Sequence, residues 1–111
     1  MKRELLVFLG MLLLAASAPA SADTVMVKYR GPVKLDNFSC ESVNRSSLVK
    51  RVCYQQTNRY MVISLSGTYY HYCRIGPEVV GALMQASSIG RFYNQSIKGQ
   101  YDCRAGGVPN G

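Results

Sequence analysis

The sequence predicts a small α+β domain: a short antiparallel β-sheet of three to four strands, followed by two helices and stabilised by disulfides. Three observations predict it. Runs rich in β-branched and aromatic residues, separated by turn signals, fill the first two thirds of the chain. Apolar stripes at helical spacing follow Pro77. Four cysteines, Cys40, Cys53, Cys73 and Cys103, lie after an N-terminal export signal.

That signal comes first. In MKRELLVFLGMLLLAASAPASAD, Lys2 and Arg3 precede an apolar run from Leu5 to Ala16, and Ala20-Ser21-Ala22 supplies a small-residue cleavage site. This is the pattern of a secretory signal peptide over residues 1–22. The run falls short of the roughly 20 residues that span a bilayer, so no membrane span is expected after cleavage. The protein should be exported, to the periplasm or the medium. A mature chain of this size buries a limited core and gains from covalent ties. Four cysteines in an oxidising compartment imply two disulfides, with three possible connectivities. A metal site is disfavoured: the cysteine spacings of 13, 20 and 30 contain no CxxC knuckle, and His71 is the only histidine.

Along the mature chain, TVMVKYR (24–30) alternates as a strand, with Val25, Val27 and Tyr29 on one face, until Gly31-Pro32 breaks it. Residues 33–46 read as an extended, looping segment anchored by Cys40, so 23–45 forms an N-terminal strand and extension. SLVKRVCY (47–54) is the next strand, and QQTNR turns the chain. YMVISL (60–65) and TYYHYC (68–73) form a hairpin about Ser66-Gly67. That register places Met61, Ile63, Leu65, Tyr70 and Tyr72 on an apolar core face. Tyr60, Val62, Ser64, Tyr69, His71 and Cys73 fall on the other, less apolar face, where Tyr69 and His71 are expected to meet solvent or a ligand.

Pro77 and Glu78 suit the start of a helix whose Val79, Val80, Leu83 and Met84 form one stripe. Ser87 or Ser88 caps a second helix with Ile89, Phe92, Tyr93 and Ile97 on one face. Residues 104–111 read as a flexible tail.

The formal net charge is +7, lowered by one when Lys2, Arg3 and Glu4 leave with the signal. A basic exported domain suits nucleic acid, another polyanion or an acidic envelope protein. The cations are scattered, with Lys50-Arg51 the only adjacent pair in the mature chain. Catalysis is not expected. A nucleophilic site needs a free nucleophile, a base and an orienting group, and here the cysteines are taken as oxidised and one histidine remains. Asp36 and Glu41 sit in the irregular segment with nothing to mark them as a catalytic pair. No cofactor is called for.

The run from Ser46 to Tyr101 resembles the KTSC domain. It shows Val52-Cys53-Tyr54, then Tyr70-His71-Tyr72, then Pro77, then Ser88-Ile89-Gly90-Arg91-Phe92-Tyr93-Asn94 with Ile97-Lys98. The resemblance implies a KTSC-like domain over 46–103, with a short antiparallel sheet and following helices. That module is named for its occurrence at the C-terminus of some lysyl-tRNA synthetases, which raises RNA binding as one reading. The export signal, the N-terminal extension and the four cysteines depart from the cytoplasmic pattern. Cys40 and Cys103 flank the module and Cys53 and Cys73 lie within it, so Cys53–Cys73 and Cys40–Cys103 are the expected bonds. Their cost is geometric: first and third strands of a meander are not neighbours.

The functional expectation is an exported, non-catalytic binding module. Its candidate surface joins Tyr69 and His71 to Arg91, Asn94 and Lys98 of the second helix, while Tyr70 and Tyr72, although family-motif residues, are expected to be structural. Two alternatives are a nucleic-acid (RNA) binding module and a partner or inhibitor of an envelope protein.

Overall fold

A computed structural model describes residues 23–108; the expected signal peptide lies outside the described residues. Six strands form one sheet: β1 (Thr24–Val27), β2 (Gly31–Lys34), β3 (Ser39–Ser42), β4 (Val49–Gln55), β5 (Tyr60–Leu65) and β6 (Thr68–Tyr72). Helices α1 (Pro77–Gln85) and α2 (Ile89–Ser96) follow. The strand order is β2-β1-β6-β5-β4-β3. All pairs are antiparallel except β1 with β6, which run parallel through Val27 and Tyr69. The α+β class holds. The expected sheet of three to four antiparallel strands was too small and missed the parallel pair.

The missing strands have a physical reason. β2 carries Gly31-Pro32, read in the sequence as a stop. It is an edge strand, where a proline is tolerated because its absent N–H can face away from the ladder. Pro32 stands opposite Met26, and the bonded positions lie at the odd residues: Leu35 N–H donates to the Asp23 carbonyl at 3.0 Å. β3 is the other edge, four residues long with both Glu41 and Ser42 exposed. Short polar edges resist pairing with other chains. The strand expected over 24–30 stops at Val27: Arg30 N–H closes a tight turn onto the Val27 carbonyl at 3.0 Å. Tyr29 there adopts φ 69° and is 88% exposed, not aligned with Val25 and Val27.

The β5–β6 hairpin has the register expected from the sequence, Leu65 opposite Thr68, Ile63 opposite Tyr70 and Met61 opposite Tyr72. Ser66 and Gly67 take φ 52° and 93°. A two-residue turn with both φ positive matches the strand twist, and glycine takes that conformation without steric cost.

The sheet is curled. Only Leu35–Phe38 connects β2 to β3, which occupy opposite edges. Fully extended, that link spans about 18 Å, whereas six flat strands would separate its ends by about 24 Å. The edges must therefore bend toward each other across the face opposite the helices. The Arg51 guanidinium on β4 accordingly meets the Asp23 carboxylate, just before β1, at 2.9 Å.

Both faces are consequently buried. Against the helices lie Val49, Val52, Met61, Ile63, Leu65, Ile75, Val80, Leu83, Ile89, Tyr93 and Ile97. On the concave side, Val27, Val33, Leu35 and Phe38 close over Cys53, Tyr60, Val62, Cys73 and Cys103. All six residues of β5 are buried, with Tyr60 and Val62 fully enclosed. The less apolar second face is thus buried at Tyr60, Val62, Ser64 and Cys73, because the N-terminal extension covers them, while Tyr69 and His71 stay half-buried.

The helices start as their sequences direct. Pro77 opens α1 with Glu78 in its first turn, and Arg45 caps the other end by donating to the Met84 and Ala86 carbonyls at 2.6 and 2.9 Å. Ser88 caps α2, its hydroxyl accepting from the Arg91 N–H at 3.3 Å.

The disulfides are Cys40–Cys53 and Cys73–Cys103, not Cys53–Cys73 and Cys40–Cys103. The strands keep the meander order, so β5 separates β4 from β6, and Cys53 is level with Val62 and His71. Cys40 faces Cys53 directly across the β3–β4 ladder, with Cα atoms 4.0 Å apart. Cys103 returns beside the end of β6, 4.8 Å from Cys73 between Cα atoms.

Candidate functional site

The end of β6 is where the two faces, the N-terminal turn and the C-terminal segment meet. Side chains alternate along β6, so Tyr70 and Tyr72 point to the helices while Tyr69 and His71 point to the concave face. Tyr72 hydrogen-bonds hydroxyl to hydroxyl with Tyr93 of α2, and their rings meet edge-on at 6.0 Å. Burial, then the Tyr93 bond, pushes the Tyr72 phenol far above its ordinary range. Tyr54 donates its O–H to the Ile75 carbonyl at 2.6 Å, holding the loop before α1. These contacts bind hairpin, loop and helix into one unit.

On the other face, the His71 Nδ1 lies 2.9 Å from the hydroxyl of Tyr60. The Tyr60 ring also meets Phe38 of the β2–β3 link at 5.8 Å. Burial lowers the His71 pKa, and the Arg30 charge lowers it further against a small opposing effect of Asp102. The ring is therefore neutral at neutral pH. Burial raises the Tyr60 pKa while the Arg30 side chain opposes it. The Tyr60 hydroxyl and the His71 Nδ1 share one hydrogen bond, whose direction follows the imidazole tautomer.

A cleft of about 620 Å³ opens beside this pair. One wall is Lys28 and Tyr29 of the β1–β2 turn, the floor is Tyr70, His71 and Tyr72, and the other wall comes from Gly99 to Arg104. The Lys28 ammonium sits 5.6 Å from the centre of the Tyr29 ring. Arg104 grips the Asp102 carboxylate at 2.7 Å and, with its own backbone N–H, lowers that pKa to about 2. Arg74 donates to the Asp102 carbonyl. The single acid of the cleft is thus engaged by cations, which leaves the cleft positive.

The cleft exists because β1 leaves β6 early. Lys28 N–H donates to the Tyr69 carbonyl at 2.8 Å, and then the chain turns away. Further along, past His71, Cys73 N–H donates to the Tyr101 carbonyl at 2.8 Å. Tyr69 and Cys73 therefore face away from β5, and by alternation so does His71 between them. Among the described residues no backbone partner meets the His71 N–H and C=O there.

Of the residues nominated from the sequence, only His71 joins this cleft from its candidate surface, with Tyr70 and Tyr72 as floor. Tyr69 instead accepts from Arg51 at 3.2 Å. Arg91 and Asn94 are exposed on α2, across the sheet from Tyr69 and His71, and Lys98 is exposed in the turn after α2, so the five do not form one surface. Sequence reasoning missed Lys28, Tyr29, Gln100 and Arg104. The available signal was Lys28-Tyr29-Arg30 directly before Gly31-Pro32, an aromatic between cations at a turn.

A two-layer α+β fold, helices packed on one face of a meander, defines the class of this module. Residues 45–101 match the family model of the KTSC domain, and the chain belongs to that family. Over 58 residues it is 36% identical to an uncharacterised protein of Stutzerimonas stutzeri, a match covering 51% of this chain and 82% of that one. It is similar to the crystal structure of a KTSC domain protein from Yersinia pestis, with TM-score 0.54, 27% identity, and coverage of 59% of this chain and 92% of the other. Lys28, Tyr29 and Arg104 lie outside the matched segment.

Proposed function

We propose that this protein is an exported, non-catalytic binding module whose ligand occupies the cleft between the Lys28-Tyr29 turn, β6 and the Gly99–Arg104 segment. One observation carries the reading: both walls come from outside or at the end of the family-matched segment, and each is fixed against β6, by the β1 pairing and by Cys73–Cys103. Two disulfides are compatible with export. An exposed tyrosine beside a lysine is a surface suited to recognition. Binding is favoured over catalysis because the His71 Nδ1 is taken by Tyr60 and Asp102 is held by Arg104, so no base is paired with a nucleophile.

The test is amide chemical-shift mapping of the oxidised protein with a panel: short single-stranded RNA, a heparin-like oligosaccharide and a peptide pool. A ligand of this cleft moves the amides of Lys28, His71 and Gln100, and Tyr29→Ala weakens it. Shifts confined to Arg91, Asn94 and Lys98 would move the site to α2. No movement of the cleft amides with any probe would remove the reading.

A further inference from the structure

We infer that the cleft receives the C-terminal residue of another polypeptide, taken in extended form with its free carboxylate. The inference rests on the cleft being the binding site. Its basis is the interrupted edge of β6. Extended chains are bound at sheet edges through backbone hydrogen bonds. Here the open stretch is one outward-facing residue long. Tyr69 before it is occupied by Lys28, and Cys73 after it by Tyr101.

That length decides what fits. From Tyr69 to Cys73 the edge runs about 14 Å, and both ends are closed by this chain's own backbone. An internal strand must continue past its paired residue in both directions and would meet Lys28 or Tyr101. A chain terminus needs only one exit. Its last N–H can donate to the His71 carbonyl, and one carboxylate oxygen can accept from the His71 N–H. These bonds satisfy both unpartnered groups with a single guest residue.

Charge selects which terminus. The Lys28 ammonium lines the wall, and Arg30 and Arg74 lie close enough to act on His71 and Asp102. The one carboxylate present, Asp102, is already bound by Arg104. An α-carboxylate meets uncompensated positive charge and can form a charge-assisted hydrogen bond, whereas an α-ammonium would be repelled. The exposed ring of Tyr29 offers apolar surface, so the terminal side chain should be apolar.

The experiment uses the protein secreted with its own leader and oxidised. The probes are two pools of dye-labelled hexapeptides ending in apolar residues, one with free carboxylates and one amidated. Anisotropy should show binding of the free-acid pool and about tenfold weaker binding of the amidated pool. Lys28→Ala should bring the free acid to the level of the amide, and Lys34→Ala on β2 should leave both unchanged. Equal binding of acid and amide, or acid binding insensitive to Lys28→Ala, overturns the inference. If RNA or the oligosaccharide moves the cleft amides and neither peptide pool does, the terminus assignment falls and the binding cleft stands. If no probe moves them, both fall.

Discussion

The two faces of the sheet are buried by different means. The helix face is covered from within the family-matched segment, by α1 and α2, with Leu83, Ile89 and Ile97 almost fully enclosed. The concave face is covered by the extension before it, through Val27, Val33, Leu35 and Phe38. The first cover holds by apolar packing and the Tyr72–Tyr93 and Tyr54–Ile75 hydrogen bonds. The second is tied covalently. Cys40–Cys53 joins the extension to the segment, and Cys73–Cys103 joins the segment that follows it. Disulfides thus sit at the joints between the family-matched unit and its additions, and the cleft lies beside the second of them.

The largest effects should come from deleting one anchor on each side. Leu83→Ala and Phe38→Ala each remove a buried side chain and should cost about 2–5 kcal/mol. Their patterns should differ. In hydrogen exchange, Leu83→Ala should lower protection throughout β4–β6 and both helices. Phe38→Ala should unprotect β2 and β3 first and leave the α2 amides near their original values. Equal loss across the whole chain in Phe38→Ala would make the two covers one cooperative unit.

Next in size are the covalent joints. Replacing Cys73 and Cys103 by alanine should cost about 2–4 kcal/mol in urea unfolding and free the Gly99–Arg104 wall, so that peptide binding at the cleft is lost. Replacing Cys40 and Cys53 should cost a similar amount while leaving that wall in place. Binding retained in the Cys73→Ala/Cys103→Ala protein would show that the wall stands without its disulfide.

Smaller still are the hydroxyls of the helix face. Tyr72→Phe and Tyr93→Phe should each cost about 0.5–1.5 kcal/mol, the net worth of one hydrogen bond. The double variant should cost less than the two together, because both changes remove the same bond. Strict additivity would mean that the hydroxyls have other partners.

The same comparison explains what the sequence could and could not reveal. Period two and the Ser66-Gly67 turn fixed the hairpin register, and the stripe Ile89, Phe92, Tyr93, Ile97 placed α2, because both patterns are local. The cover of the concave face was not local. Val33, Leu35 and Phe38 are isolated apolar residues in a polar stretch, without a period, and their burial follows from the short link between opposite sheet edges. One signal was there to read: YMVISL is apolar at every position but Ser64, the mark of a strand buried on both faces. The disulfides followed the same logic. Cys40 could be paired with Cys53 only once Ser39–Ser42 was known to be a strand beside β4. The cleft was least legible, since its parts lie about seventy residues apart in the chain and meet only where β1 leaves β6.

The smallest expected effect is a pH dependence that belongs to the concave face alone. Burial and Arg30 hold the folded-state pKa of His71 below its ordinary value near 6.5. The unfolded chain then binds more protons than the folded one as pH falls through that value, so stability must decrease on acidification. The loss begins below about pH 6.5 and is complete once pH has passed the folded-state pKa. His71 is the only histidine, and the lowered pKa values of Asp23 and Asp102 place their titration at lower pH. The midpoint of urea unfolding should therefore fall between about pH 7.5 and 5 in the native sequence and stay level in His71→Gln. Protonation places the charge beside Tyr60, which packs on Phe38, so exchange in β2 and around Phe38 should respond before exchange in α2. A midpoint that holds level in the native sequence would mean that the imidazole titrates as a solvated group, with Tyr60 and Phe38 closing less tightly over it than the covered face requires.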